Sequence, residues 1–215
     1  MTARRRPADA VARTAAAYAA GTEAFIRRWG RRTTMCPALL RELLELAGPR
    51  AALLDLGCGV GQDTRLLLTR RHHAVGHVVG LDRAWPLLAH ARRRGRRVPL
   101  IQGDMRTLPF RPGSFDAIWA AASLIHLPKT EAARLLCALC HVVPIGGLLG
   151  ATVAHGRRTG FLRRGWIPGR YFARWMKAEL ERAVRRAGWD VLRLATVNHR
   201  ERKGRWLTLI ARRIR

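Results

Sequence analysis

One stretch of the sequence combines the residue types that hold a nucleotide-like ligand. An apolar run from Ala51 leads to Asp55 and then to three glycines at alternating positions, Gly57, Gly59 and Gly61. Glycine lets the backbone approach a ligand closely because it has no Cβ atom, and the N-terminus of a following helix binds polar groups. The GxGxG spacing differs from the GxGxxG of dinucleotide-binding loops. The stretch therefore predicts a buried strand, a ligand-binding loop and the start of a helix.

Two more carboxylates follow predicted strands downstream of the glycine loop. Asp82 ends the run VVGLD about 20 residues after Gly61, where a carboxylate can accept hydrogen bonds from both ribose hydroxyls. NAD-dependent dehydrogenases share this spacing. Asp104 follows a third apolar run, in the sequence LIQGDM. Because parallel strands present their carboxyl ends at one edge of a sheet, we expect these carboxylates to share one ligand site.

Together with the later run SFDAIWA, these motifs resemble the class I methyltransferases that depend on S-adenosylmethionine (SAM). The resemblance implies SAM as the cofactor, with its amino-acid end on the glycine loop and Asp55 accepting a hydrogen bond from the ammonium group or from an ordered water. It also implies that Asp82 binds the ribose, that Asp104 accepts from the adenine amino group and that Met105 flanks the ring. The cofactor residues predicted in this way are Asp55, Gly57, Cys58, Gly59, Gly61, Asp82, Arg83, Asp104 and Met105.

His126 is the candidate for a general base. Methyl transfer is an in-line displacement, so the protein mainly supplies position and a dry pocket, and it needs a base only where the acceptor must lose a proton early. His126 follows the predicted fourth strand, where the resembled enzymes place residues that face the methyl group. A neutral imidazole can take a proton near pH 7. A packed or capping histidine is the alternative at this position.

Four further residues are candidates for contact with the acceptor substrate. Tyr18 falls where the resembled family often has a tyrosine over the cofactor, although packing against a neighbouring helix would equally explain it. Ser123 lies just after the predicted fourth strand. Arg157 and Arg170 belong to residues 155–172, a stretch rich in glycine, arginine and aromatic residues. This composition predicts a basic lid with little regular structure.

Cys137 and Cys140 form a CxxC motif followed by His141, which is a pattern that metal sites also use. The motif lies in a predicted helix, where residues i and i+3 share one face, and no second pair of ligands with suitable spacing appears in the sequence. We therefore expect two buried cysteines and no metal.

The chain of 215 residues carries a net charge of +27, from 41 basic and 14 acidic residues. This charge suits a polyanion such as RNA or an acidic small molecule, but nearly all the basic residues are arginine, which biased codon usage would also produce. No Asn/Asp-Pro-Pro-aromatic motif follows the fourth strand to grip a flipped base, and no Pro-Cys pair offers a nucleophile for pyrimidine C5 chemistry. We therefore predict methyl transfer to a small molecule, with a lid suited to an anionic acceptor. The alternatives are methylation of RNA, such as tRNA, and a non-catalytic basic module that binds nucleic acid.

The alternation of apolar runs and helical segments predicts an α/β fold. Strands are expected at 51–56, 75–81, 97–102, 115–120, 146–154, 189–196 and 206–212, and helices at 8–20, 22–29, 37–47, 61–70, 84–94, 129–142 and 173–187. This order predicts a doubly wound, mostly parallel seven-stranded sheet with a C-terminal antiparallel hairpin, the Rossmann-like fold of the resembled methyltransferases.

The sequence also leads to a prediction of the domain organisation and of the cellular compartment. Residues 1–48 are expected to form a helical cap, and residues 49–215 the SAM-binding domain with the lid at 155–172. No apolar run reaches the ~20 residues of a membrane helix, and the four cysteines do not form the framework of a small secreted domain. We therefore expect a cytoplasmic protein.

Overall fold

Within the residues that the structure describes, namely 8–30, 36–69, 76–93, 99–198 and 204–215, nine strands form two sheets. The structure is a computed structural model. The strands are β1 (Ala52–Leu56), β2 (His77–Asp82), β3 (Leu100–Gln102), β4 (Ala117–Ala121), β5 (Leu148–Ala154), β6 (Thr159–Phe161), β7 (Tyr171–Ala173), β8 (Trp189–Asn198) and β9 (Arg205–Arg213). The main sheet has the order β3-β2-β1-β4-β5-β9-β8, parallel from β3 to β5, with β9 antiparallel to β5 and to β8. The predicted fold is therefore confirmed.

Helices cover both faces of the main sheet. They are α1 (Ala8–Ala20), α2 (Thr22–Trp29), α3 (Pro37–Ala47), α4 (Gln62–Thr69), α5 (Trp85–Arg93), α6 (Lys129–Val142) and α7 (Lys177–Arg186). The ends of α3 follow from its sequence, because Pro37 is pre-organised for a first turn and Gly48, at φ +78°, ends the helix. In the described part of the chain, no helix combines the length and the apolar character needed to cross a bilayer.

The strands at the centre of the sheet are apolar on both sides. β1 and β5 are buried along their whole length, as expected for parallel strands that helices cover on both faces. Leu54 and Ile118 belong to the core cluster on the side of α6, whereas Leu53 and Trp119 belong to the cluster that contains Leu43 of α3. The two clusters hold β1 and β4 in place, and these strands position the glycine loop and His126.

The lid segment (residues 155–172) contains more regular structure than the sequence predicts. β6 and β7 pair as an antiparallel hairpin, so the expectation of little regular structure is wrong. A tertiary contact fixes this hairpin, because the backbone N–H of Tyr171 donates to Oγ1 of Thr14 on α1 at 2.8 Å. The helix expected from residue 173 begins instead at Lys177. Residues 97 and 98 of the predicted third strand lie outside the described residues.

The two cysteines of the CxxC motif differ in their exposure. Cys140 is buried, and its thiol donates to the carbonyl oxygen of Ala187 at 3.1 Å, whereas Cys137 is exposed. The expectation that both are buried is therefore wrong for Cys137, because Leu136 and Leu139 define a buried face that turns away from it. Among the described residues, no group of three histidine, cysteine or carboxylate side chains could hold a metal ion.

A pair of leucines on α3 tests how this helix contributes to the core. Leu43 is fully buried and its Cδ2 lies against Gly150 of β5, whereas Leu46 is 44% exposed. Leu43→Ala should lower the free energy of unfolding by about 2–5 kcal/mol, because it leaves a cavity in the core. Leu46→Ala should change it by about 0.5 kcal/mol or less. Urea denaturation measures both, and equal effects would contradict the packing of α3 on the sheet.

Candidate active site

A cavity of about 340 Å³ opens at the carboxyl ends of β1, β2 and β4, within the size range of small-molecule sites. Residues of α1, α2 and the lid segment complete its wall. Every site residue predicted from the sequence lines the cavity, with the exception of Gly61 and Arg157. Gly61 lies just before α4, and a Cβ atom built on it would lie 3.3 Å from the Cβ of Ala91. Arg157 is exposed.

The glycine loop has a backbone conformation that excludes other residues. Gly57 adopts φ +78°, and a Cβ built on it would lie 2.5 Å from the Cβ of Ser123. Gly59 adopts φ +55°, and its Cβ would lie 3.3 Å from Phe25. The left-handed region favours glycine, so the loop follows a path close to the cavity wall. The backbone N–H of Gly59 also donates to Oδ2 of Asp82 at 2.8 Å, which ties the loop to β2.

Asp55 is a buried carboxyl group at the end of β1. Its Oδ2 accepts a hydrogen bond of 2.6 Å from the hydroxyl of Thr64, and it is only 3% exposed. Burial, and then the neighbouring charge of Asp63, raise the pKa of Asp55 far above its ordinary value. Asp63 in turn accepts a hydrogen bond from Trp119 Nε1 at 2.8 Å. A cationic group in the cavity would favour the ionised form of Asp55, and an ammonium group is such a cation.

Asp82 is held by the backbone at the end of β2. Its Oδ2 accepts from Gly59 N and its Oδ1 accepts from Ala84 N, both at 2.8 Å. Burial raises the pKa of Asp82, and these N–H bonds oppose the rise. Each carboxylate oxygen has a second lone pair. Asp82 can therefore accept two hydroxyl groups in addition, which fits the two hydroxyls of a ribose.

Asp104 lies in a cluster of opposite charges. Arg106 donates to both of its oxygens, with Nη2 at 2.7 Å from Oδ2, and Arg83 bonds the same oxygen. Burial would raise the pKa of Asp104, but the hydrogen bonds of Arg106 and the charges of Arg106 and Arg83 hold it below its ordinary value. Arg106 also pairs with Glu131 at 3.0 Å. Asp104 is therefore ionised near neutral pH and fixed in place beside the cavity.

Cys58 and Met105 contribute apolar wall rather than charge. Burial, and then the charge of Asp55, raise the pKa of the Cys58 thiol, so it is neutral near pH 7 and a poor nucleophile. Met105 is partly buried against the main core. Both side chains line the cavity where the sequence predicts contact with the cofactor.

A chain of hydrogen bonds joins His126 to the cap and the lid. Nδ1 of His126 lies 2.8 Å from the carbonyl oxygen of Tyr171, and Nε2 lies 2.9 Å from the hydroxyl of Tyr18 on α1. Nη1 of Arg170 donates to the same hydroxyl at 3.1 Å. Because a carbonyl oxygen only accepts, Nδ1 carries the hydrogen in the neutral ring and Nε2 is the acceptor. The sequence names these three side chains separately, and only the fold brings them together.

Local backbone geometry places His126 at the cavity. After β4, Ala122 adopts φ +57°, which is uncommon for a residue with a Cβ atom and occurs at functional sites. A short 3₁₀ helix, Leu124–His126, follows this turn. Ser123 is buried in the cavity wall, and its Oγ has no hydrogen-bond partner among the described residues.

Several aromatic residues line the cavity that the sequence did not identify as site residues. Trp166 of the lid segment lies 5.8 Å from Phe25 and 6.1 Å from Trp29 of α2, measured between ring centroids, and all three line the cavity. The sequence shows that the lid segment is rich in aromatic residues, but not which of them face the cavity. The fold turns Trp166 inward, and Phe161 lies under Arg13 of α1 at 3.9 Å.

Part of the chain matches a known protein family. Residues 53–147, which include the glycine loop, Asp82 and Asp104, match the family described as methyltransferase domain. The match begins within β1 and ends just before β5.

The chain is also similar to curated proteins and to a solved structure. This chain is 43% identical over 94 residues to 2-phytyl-1,4-naphtoquinone methyltransferase of Thermosynechococcus vestitus, covering 40% of this chain and 41% of that protein. It is 40% identical over 104 residues to trans-aconitate 2-methyltransferase of Methylobacterium nodulans, covering 48% and 38%. The crystal structure of 1,6-didemethyltoxoflavin-N1-methyltransferase of Burkholderia thailandensis, with S-adenosylhomocysteine bound, superposes with a TM-score of 0.78 at 20% identity, over 100% of this chain and 93% of that one.

The similarity is restricted to part of the relatives' length and, for the solved structure, to the fold. The chain spans well under half the length of the curated relatives it matches, and the structural match at 20% identity concerns the fold alone. The similarity to the methyltransferase domain family is therefore limited to residues 53–147.

The buried carboxyl group of Asp55 should make stability depend on pH. A carboxyl group whose pKa in the folded state exceeds its unfolded value of about 3.9 binds its proton more tightly when folded. The free energy of unfolding should therefore fall as the pH rises from about 5 to about 8. Asp55→Asn keeps an acceptor for Thr64 but cannot ionise, so its decline should be shallower. Urea denaturation at constant ionic strength measures both proteins, and parallel pH curves would contradict the raised pKa of Asp55.

Proposed function

We propose that this protein transfers a methyl group from SAM to a small-molecule acceptor bound in the cavity. One observation carries the proposal: a single cavity joins the glycine loop and Asp82 to the hydrogen-bonded side chains of Tyr18, His126 and Arg170. When bound, SAM supplies an electrophilic methyl group. The names of two relatives, which specify a naphthoquinone and trans-aconitate, support acceptors of small size.

In this proposal the residues of the chain bind, orient and accept a proton. The glycine loop and Asp55 hold the amino-acid end of the cofactor, Asp82 the ribose, and Asp104 with Met105 the adenine. Nε2 of His126 accepts the proton of the acceptor, either directly or through the hydroxyl of Tyr18, which lies 2.9 Å from Nε2. The carbonyl oxygen of Tyr171 fixes the ring orientation through Nδ1.

The lid supports a small acceptor more than RNA. Its aromatic side chain Trp166 and its arginine Arg170 both line the cavity rather than the surface. RNA remains the second candidate because of the net charge of +27 and the exposed arginines of the lid segment. These exposed residues are Arg157, Arg158, Arg163 and Arg164. Methylation of bulk tRNA, with binding that weakens steeply as salt rises, would favour RNA over a small acceptor.

Calorimetric titration tests the cofactor site. The native protein should bind SAM or S-adenosylhomocysteine at one site, and Asp82→Ala should weaken binding by about tenfold or more, since it removes a charged acceptor of hydrogen bonds. Asp190→Ala, on the surface at β8, is the matched control and should leave the affinity unchanged. If the native protein binds neither ligand, the enzymatic proposal fails and a non-catalytic module is favoured.

Histidine variants test the base. A screen of metabolite and RNA fractions for radiolabelled methyl transfer first identifies an acceptor. With that acceptor, His126→Ala should lower kcat by about 10²–10⁴-fold, the range for loss of a general base, while the affinity for S-adenosylhomocysteine stays within about twofold. His141→Ala, at an exposed position on α6, is the control. An unchanged kcat in His126→Ala would show that the acceptor needs no base from this residue.

A further inference from the structure

Arg170 stands apart from the other basic residues of the described chain because it is buried. It is 5% exposed, and no other lysine or arginine in the described ranges falls in the buried class. Charged side chains are almost never fully buried unless they are paired. The surroundings of Arg170 therefore need an explanation.

The partners of Arg170 are neutral. Its Nε donates to the carbonyl oxygen of Ile167 at 2.9 Å, and its Nη1 donates to the hydroxyl of Tyr18 at 3.1 Å. The guanidinium carbon lies 4.4 Å from the ring centroid of Trp166 and 5.4 Å from that of Tyr18. The hydrogen bonds orient the guanidinium, and the faces of the two aromatic rings attract it. None of these partner groups has a negative charge that would compensate the charge of Arg170.

Two other arginines near the site, Arg83 and Arg106, contrast with this arrangement. Arg106 pairs with Asp104 and Glu131, and Arg83 pairs with Asp104. No ion pair joins Arg170 to a carboxylate of the described residues, and Nη2 donates to no described group. A buried charge is stable only when an opposite charge compensates it. A buried cation on a cavity wall, with one nitrogen left to donate, is therefore a site for an anion.

The position of Arg170 relates this anion to the chemistry. Nη1 of Arg170 and Nε2 of His126 bond the same hydroxyl, that of Tyr18, so the cation lies two hydrogen bonds from the proposed base. Nε and one N–H of Nη1 are already bonded, so the donors that remain, chiefly those of Nη2, suit one carboxylate better than a phosphate with several charged oxygens. Three aromatic side chains, Trp166, Phe25 and Phe172, also line the cavity.

We propose that Arg170 is the counter-ion of the acceptor, and that the acceptor is a flat molecule with a single carboxylate next to the group that takes the methyl. This inference rests on the proposed function and adds the class of substrate. It assigns the recognition of charge to one buried arginine of the lid rather than to the exposed arginines that dominate the net charge.

The test compares an acid with its neutral amide. The probes are 1-hydroxy-2-naphthoate and 1-hydroxy-2-naphthamide, titrated by calorimetry into the native protein with and without S-adenosylhomocysteine. The acid should bind about tenfold or more tightly than the amide, because a charge-assisted hydrogen bond in a buried site is strong. Arg170→Gln should reduce this preference to about threefold or less. Arg157→Gln, which removes the same charge from an exposed position of the same segment, should keep the preference.

Several outcomes would overturn the inference. They are failure of the acid to bind, equal binding of acid and amide, loss of the preference in Arg157→Gln, and tighter binding of inorganic phosphate than of the acid. Circular dichroism checks that Arg170→Gln is folded, and Arg170→Lys, which keeps the charge, serves as a second variant that should retain a preference for the acid. Failure of the native protein to bind S-adenosylhomocysteine would instead count against the methyltransferase proposal, since the probes are also titrated without it.

Discussion

The parallel pairing of β1 with β2 on one side and β4 on the other is the constraint on which the site depends. Asp55 of β1 stands opposite Gly80 of β2 and Trp119 of β4, so the three strands end at nearly the same level. The glycine loop, Asp82 and the turn to His126 then leave the sheet at one edge. A slip in register would separate these groups, because every strand residue would change its level and its face.

The site concentrates charges that are costly to bury. Asp55 and Asp82 have raised pKa values because burial disfavours their ionised forms. Arg170 is also buried in the cavity wall, with neutral partners only. Such an arrangement is unfavourable for folding alone, and it becomes favourable when ligands of opposite charge enter. The cofactor end of the cavity suits an ammonium group, and the lid end suits an anion.

In the lid segment, the local sequence pattern predicts the wrong backbone structure. Its glycines and arginines are typical of an irregular exposed segment, yet β6 and β7 pair across it and Trp166 faces the aromatic residues of α2. The deciding contacts are with α1, through Thr14 and Tyr18, which lie more than 100 residues away in the chain. Helix periodicity and strand composition are local signals, and they carry no information about such contacts.

The sequence by itself determined the order of the helices and of the seven strands of the main sheet, and the glycine motif, because apolar periodicity and glycine spacing are fixed by local geometry and by burial. It also named Tyr18, Ser123, His126 and Arg170 one by one. The tertiary structure decided that Tyr18, His126 and Arg170 form one hydrogen-bonded chain, that Arg157 stays outside the cavity, and that Cys137 is exposed. These facts depend on which faces of distant elements pack together. The glycine loop therefore predicts a cofactor, whereas the packing of α1, α2 and the lid segment determines which side chains line the cavity.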